Sequence, residues 1–295
     1  MRNTSSSCNA QLDTGNRDNR LLLVLFALIY ISPDTLLFGT NRKAIMQGAG
    51  QYIVLVFACT FLFYLLVRNK HISLEKLWSS LILVTTLWLS CLVNGEKFNN
   101  YIYKTFLIIC AATFTNIYNR ETFIDKYQNI IFVIAAFSNI VYGFYLFFPE
   151  ILNRLPTIYN TKDIAFKFGF LVIMPLRIFG QIPRSMGIFR EPGVFSIFLV
   201  FALYFELLER ETISIFRILV LLIALFLTYS TTGYIVIILI MTVLPFNGAD
   251  SRRLKRKRNI ITFAFFSIVI LLLHYTDLLS KNGFILGKFM QGSAT

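Results

Sequence analysis

Histidine is nearly missing from this chain: His71 and His274 are its two copies. They are too few and too far apart for a recognisable zinc or iron site, so metal catalysis has no visible ligand set. Cysteine is also sparse. Cys8, Cys59, Cys91 and Cys110 show no CxxC spacing, and the last three sit in apolar runs, where they read as small buried hydrophobes. Charged residues make up only 15% of the chain, against 56% hydrophobic and 16% aromatic, with a mean hydropathy of +0.67. No solvated basic domain exists to carry nucleic acid, so the formal charge of +13 reads as membrane topology plus an anionic partner. A soluble core of this size does not need so much apolar sequence. The fold class implied is an all-α polytopic integral membrane protein of about nine transmembrane helices with one long outer loop.

Residues 1–20 form a polar tail holding Arg2, Arg17 and Arg20, and the first apolar run begins at Leu21 with no small-residue cleavage site behind it, as in an uncleaved signal anchor. Pro33 and Asp34 interrupt that run about two thirds of the way across at ~1.5 Å per residue. A carboxylate at that depth is costly unless it faces protein or water. Asp34 is therefore either a substrate-facing acid or the end of a short span. Further runs at Tyr52 to Val67, Leu77 to Val93, Tyr101 to Tyr118 and Ile130 to Phe148 complete a five-span bundle over 21–148.

The connection 149–192 is much longer than the others and too aromatic and apolar to be disordered. Its middle, Ile164 to Gly180, carries Lys167, Pro175 and Arg177 and is predicted to be an interfacial or re-entrant segment. A four-span bundle over 193–275 follows. Its apolar stretch Ile213 to Phe246 is ~51 Å as one helix against a ~30 Å hydrocarbon core. The hydroxyl-rich TYSTTG at Thr228 to Gly233 is the natural break, giving two short spans joined by a hairpin. The loop 247–258 carries the basic run Arg252 to Arg258, and 276–295 is an outer tail. With the N-terminus cytoplasmic, alternate segments hold 16 Lys and Arg inside and 12 outside, six of the 12 in the long loop, where charge determines topology weakly. Both the long loop and TYSTTG then face outward.

The long loop ends in RSMGIFREPGVF, Arg184 to Phe195. Pro192 lacks an N–H and pre-sets a helical φ, which suits the first turn of the following span, with Glu191 just before it. Arg190 is thereby held at a helix N-terminus, where free N–H groups, the positive dipole end and a guanidinium converge to hold a phosphate or another anion. The competing reading is a snorkelling interfacial arginine beside a helix-starting proline.

The order GIFREPGVFSIFL, a span, then LFLTYSTTGYIVIIL resembles the O-antigen polymerase and ligase family, particularly the Wzy-type polymerases of surface polysaccharides, over Arg184 to Phe246. The resemblance implies a bacterial inner-membrane glycosyltransferase that moves a glycan from its polyprenyl-diphosphate carrier onto a hydroxyl of the next lipid-linked repeat unit. It implies no cofactor or nucleotide sugar, and as partners the lipid-linked glycan, membrane lipids and a chain-length regulator protein. Arg190, Arg184 and Arg177 are the candidate diphosphate clamp. Glu191 is the first candidate proton acceptor, with Asp163 and Asp34 behind it, although Glu191 also reads as a helix-start acid paired with Arg190. Ser230, Thr231, Thr232 and Asp34 are candidate substrate contacts. Tyr159, Phe166, Phe168, Phe170, Phe179, Phe189 and Phe195 either line a sugar or polyprenyl groove or form an interfacial belt.

Family members usually carry an arginine inside the second motif, where this chain has Thr231 or Thr232, so no catalytic arginine is carried onto that turn. Members also continue into a second outer loop and more spans, so the resemblance implies that a C-terminal part is lacking here. The ligase branch, and a flippase of the same lipid-linked oligosaccharide, are the rival readings. The chain shows neither an internal repeat nor paired broken helices that would favour a transporter.

Overall fold

A computed structural model describes residues 22–32, 34–40, 49–69, 74–95, 98–148, 150, 154–160, 163–169, 171–175, 184–210, 213–243, 256 and 259–267. The polar tail, Arg177, Phe170, Phe179, most of the basic run at 252–258 and the 276–295 tail lie outside the described residues. Helix α1 covers 22–30, and α2 Ala49–Asn69, α3 Leu74–Asn94, α4 Phe98–Ile117 and α5 Arg120–Phe147 follow. After them come strands β1 Thr157–Tyr159, β2 Ala165–Gly169 and β3 Val172–Pro175. Helices α6 Pro192–Tyr204, α7 Ile215–Leu227 and α8 Thr231–Val243 complete the bundle, with a helical run α9 over 259–267.

The helices fall on the apolar runs because those runs bury one face and offer the other to an apolar surround. Leu55, Leu62, Ile131, Ile134, Phe195, Leu199 and Leu225 are fully enclosed between helices. Phe57, Ile82, Phe147, Phe216 and Phe263 each leave more than half their surface open. Open apolar faces of this extent suit lipid chains better than water. Among the described residues, Arg120–Phe147 and Pro192–Glu209 are long and apolar enough to cross a membrane, and Leu55–Arg68, Trp78–Asn94, Tyr101–Ile117, Ile215–Leu227 and Thr231–Val243 are shorter apolar helices.

The connection 149–192 departs from expectation. Where an interfacial or re-entrant segment was predicted, residues 157–175 form a three-stranded antiparallel sheet in the order β1-β2-β3, so the fold is helical with a small β appendage rather than all-α. The register pairs Ile158 with Phe166 and Gly169 with Val172. The physical reason is the alternation in AFKFG: Phe166 is buried, while the Lys167 ammonium donates to the Thr157 hydroxyl at 3.0 Å and the Leu155 carbonyl at 3.3 Å. Period two wins over helical period here.

At the opposite end of α5, ion pairs join α5 to the end of α6, and a backbone hydrogen bond ties in the start of α7. Helix α6 ends in a π-helical turn, Phe205–Glu209, which swings Glu206 into the interior. The Glu206 carboxylate accepts the Ser214 N–H at 2.9 Å and lies 3.4 Å from the Arg210 guanidinium, which also pairs with Asp125. Arg120 pairs with Glu209 at 2.5 Å.

Candidate functional site

The site is assembled at the sheet end of the bundle from four stretches far apart in sequence. Helix α1 ends at residue 30, and the Thr35 hydroxyl closes the turn by donating to the Tyr30 and Ser32 carbonyls, both at 2.9 Å. Thr35 then pairs with Phe189 in an antiparallel bridge. The Arg190 N–H donates to the Asp34 carbonyl at 2.8 Å and the Leu36 N–H to the Ile188 carbonyl at 3.2 Å. On its other side this segment meets the sheet, the Ile173 N–H donating to the Gly187 carbonyl at 2.7 Å. Leu36, Phe166, Ile173 and Met186 close a small apolar core beneath it. Backbone pairing on two sides thus sets where Arg190 and Asp34 stand.

Their side chains meet as well. The Arg190 guanidinium lies 3.4 Å from the Asp34 carboxylate, with each side chain about 40% exposed (39% and 41%), so both keep a face to solvent. Glu191 caps α6 in an extended conformation, with Pro192 in the first turn. It is exposed, makes no side-chain cap hydrogen bond and has no ion pair among the described residues. In place of the alternative in which Glu191 pairs with Arg190, Asp34, 156 positions earlier in the chain, is the acid at the guanidinium. Sequence distance hid this pair. The first N–H groups of a helix lack intrahelical partners, and Pro192 contributes none, so Gly193 and Val194 present theirs beside Arg190.

The second motif packs onto the first. The Ser185 N–H donates to the Leu227 carbonyl at 2.8 Å, and the Ser196 hydroxyl donates to that of Ser230 at 3.0 Å. Gly233 permits this approach, since a Cβ there would sit 2.8 Å from the Ser196 Cβ. Ser230, one of the candidate substrate contacts, is buried and also accepts the Gly233 N–H at 3.3 Å, so its hydroxyl joins helices. Thr231 and Thr232 are exposed at the start of α8. Arg184 is half-buried. Asp163, in the β1–β2 turn at φ 60, is exposed; it does not share the Arg190 cluster's hydrogen bonds or ion pair.

The aromatics that read as either a groove or an interfacial belt divide between core and surface. Phe189 and Phe195 are fully buried and stacked, centroids 5.5 Å apart, and Phe189 stacks on Phe198 at 4.4 Å; Phe166 is buried too. These rings hold the loop to α6, because burying them releases more apolar surface from water than a lining position would. Tyr159 is exposed and Phe168 partly buried at the sheet. Missed in the sequence were Ser185, whose buried hydroxyl hydrogen-bonds that of Ser138 on α5, and Tyr142, buried on α5. Only the proximity of Ser185 to Arg184 in the motif hinted at either.

Gly187 locks the arrangement. Its φ is +56, and a Cβ would meet Ile134 and Phe195 at 3.1 Å. Gly187→Ala combines left-handed strain with overpacking and is expected to lower stability by roughly 2 kcal/mol or more. Gly193→Ala meets nothing within 4 Å and is expected to be near neutral. Thermal midpoints of the two detergent-solubilised variants test the contrast.

No family model, curated protein or solved structure matches the chain.

Proposed function

We propose that the chain is a membrane glycosyltransferase of the Wzy type, extending a polysaccharide by transferring glycan from polyprenyl diphosphate to an acceptor sugar hydroxyl at the outer face of a bacterial cytoplasmic membrane. The observation that carries the reading is the half-exposed Arg190–Asp34 pair at the start of α6, with the TYSTTG turn packed against the same helix. On this reading the bond from the anomeric carbon to the diphosphate breaks, and the negative charge left on the diphosphate is met by Arg190, the α6 N–H groups and Arg184. The acceptor oxygen bonds to the anomeric carbon and its proton passes to Glu191, the carboxylate next to Arg190 in the chain, which has no ion pair among the described residues. Asp34 orients the guanidinium from behind. Arg177 remains a candidate third cation of the clamp, and a chain-length regulator a candidate partner.

The experiment is to remove the protein and identify the glycan lipid that accumulates on the outer leaflet. Single repeat units exposed there support the polymerase. Their absence from the outer leaflet supports a flippase instead, and long chains still on the carrier support the ligase branch.

A further inference from the structure

Two layers of contact join α2 to α4, and they are spaced identically on both helices. Tyr52 meets Tyr103 edge-on with ring centroids 5.6 Å apart. Seven residues further along each helix, Cys59 meets Cys110, their sulfur atoms 2.7 Å apart, inside van der Waals contact. Equal offsets mean that the helices run parallel, and seven residues is two turns, or about 10 Å, so both layers lie on one seam. The thiols sit near the middle of each helix, Cys110 buried and Cys59 half-buried. The Cys59 thiol has one other acceptor, the Phe106 carbonyl at 3.7 Å.

The upper layer touches the candidate site. The Tyr103 hydroxyl donates to the Ile31 carbonyl at 3.4 Å, three residues before Asp34. Whatever fixes α2 against α4 therefore also steadies the turn that presents Asp34 to Arg190.

We propose that Cys59 and Cys110 form an intramembrane disulfide that staples α2 to α4 beneath the Asp34 turn. Two thiols lose two protons and two electrons as the sulfur–sulfur bond forms, and a lipid-soluble quinone takes up both to become a quinol. That class of oxidant fits because Cys59 keeps part of its surface on the flank of the bundle, where a hydrophobic carrier has access and glutathione does not. The bond closes a loop between residues 51 apart, restricting the unfolded chain most strongly in the N-terminal half.

The test uses the full chain in native membranes, quenched with acid to stop thiol exchange, denatured, and alkylated before and after reduction. Two of the four thiols should resist alkylation until reduction, and the intact mass before reduction should be lower by two hydrogens. Cys59→Ser and Cys110→Ser should each free the other thiol, whereas Cys91→Ser should leave the protected pair intact. Reduced membranes given a short-chain quinone without oxygen should re-form the bond with one quinol per chain. Four alkylatable thiols in acid-quenched membranes would overturn the staple, as would protection that survives Cys59→Ser. Failure of the quinone to re-form the bond would overturn the oxidant. None of these readouts depends on the glycosyltransferase reading.

Discussion

Arg190→Ala is expected to cut chain extension roughly 100- to 1,000-fold, the scale measured when one donor to developing negative charge is lost from a preorganised site. Membrane insertion should be unchanged, because the side chain is partly exposed and lies ahead of the apolar helix α6. Arg190→Lys should recover little. A guanidinium grips a diphosphate through two parallel hydrogen bonds while still facing Asp34, whereas an ammonium is a compact, strongly hydrated point charge. Gel profiles of polymer length at matched expression are the measurement. Near-normal polymer from the alanine protein would remove Arg190 from the chemistry and leave Arg184 and Arg177 as the candidate cations.

The largest stability effect is expected at the other end of the bundle. Arg210 is the guanidinium beside Glu206, whose side chain is 1% exposed, and Arg210→Ala leaves that carboxylate enclosed with, among the described residues, only the Ser214 N–H. Breaking a buried pair by removing one partner costs about 3 to 5 kcal/mol, and the 22% exposure of Arg210 places the expectation at the lower end, near 3. Glu206→Gln should cost less, since Arg210 retains Asp125 and the amide oxygen can still accept from Ser214. Unfolding in detergent with rising SDS would rank the two. A glutamine variant less stable than the alanine variant would show that the carboxylate does not depend on Arg210.

How much of this was legible depends on range. The helix starting at Pro192 was readable because Glu-Pro-Gly acts on its own backbone, and the TYSTTG break because a single helix would overshoot. The sheet at 157–175 was not, although its alternation is present in AFKFG, because flanking apolar residues blurred period two into an interfacial pattern. Phe189 and Phe195 read as groove or belt residues, and not as core, for a similar reason: an aromatic beside arginines reads the same in sequence whether it lines a site or supports one.

Composition and the spacing of apolar runs by themselves determined that this is a chain of apolar helices, where α2 to α8 fall, and that its cations concentrate in connections. These follow from local terms, the cost of exposing apolar surface and the backbone preferences of proline, glycine and hydroxyl residues. Only the tertiary structure decided that Asp34 meets Arg190, that Ser230 is spent on Ser196, and that Cys59 lies against Cys110. Each of those pairs spans at least 34 positions, and no local propensity records which helix faces pack together. That choice is made by the mutual fit of side chains such as Phe189 on Phe198 and Gly233 on Ser196, which exists only once the helices are in contact.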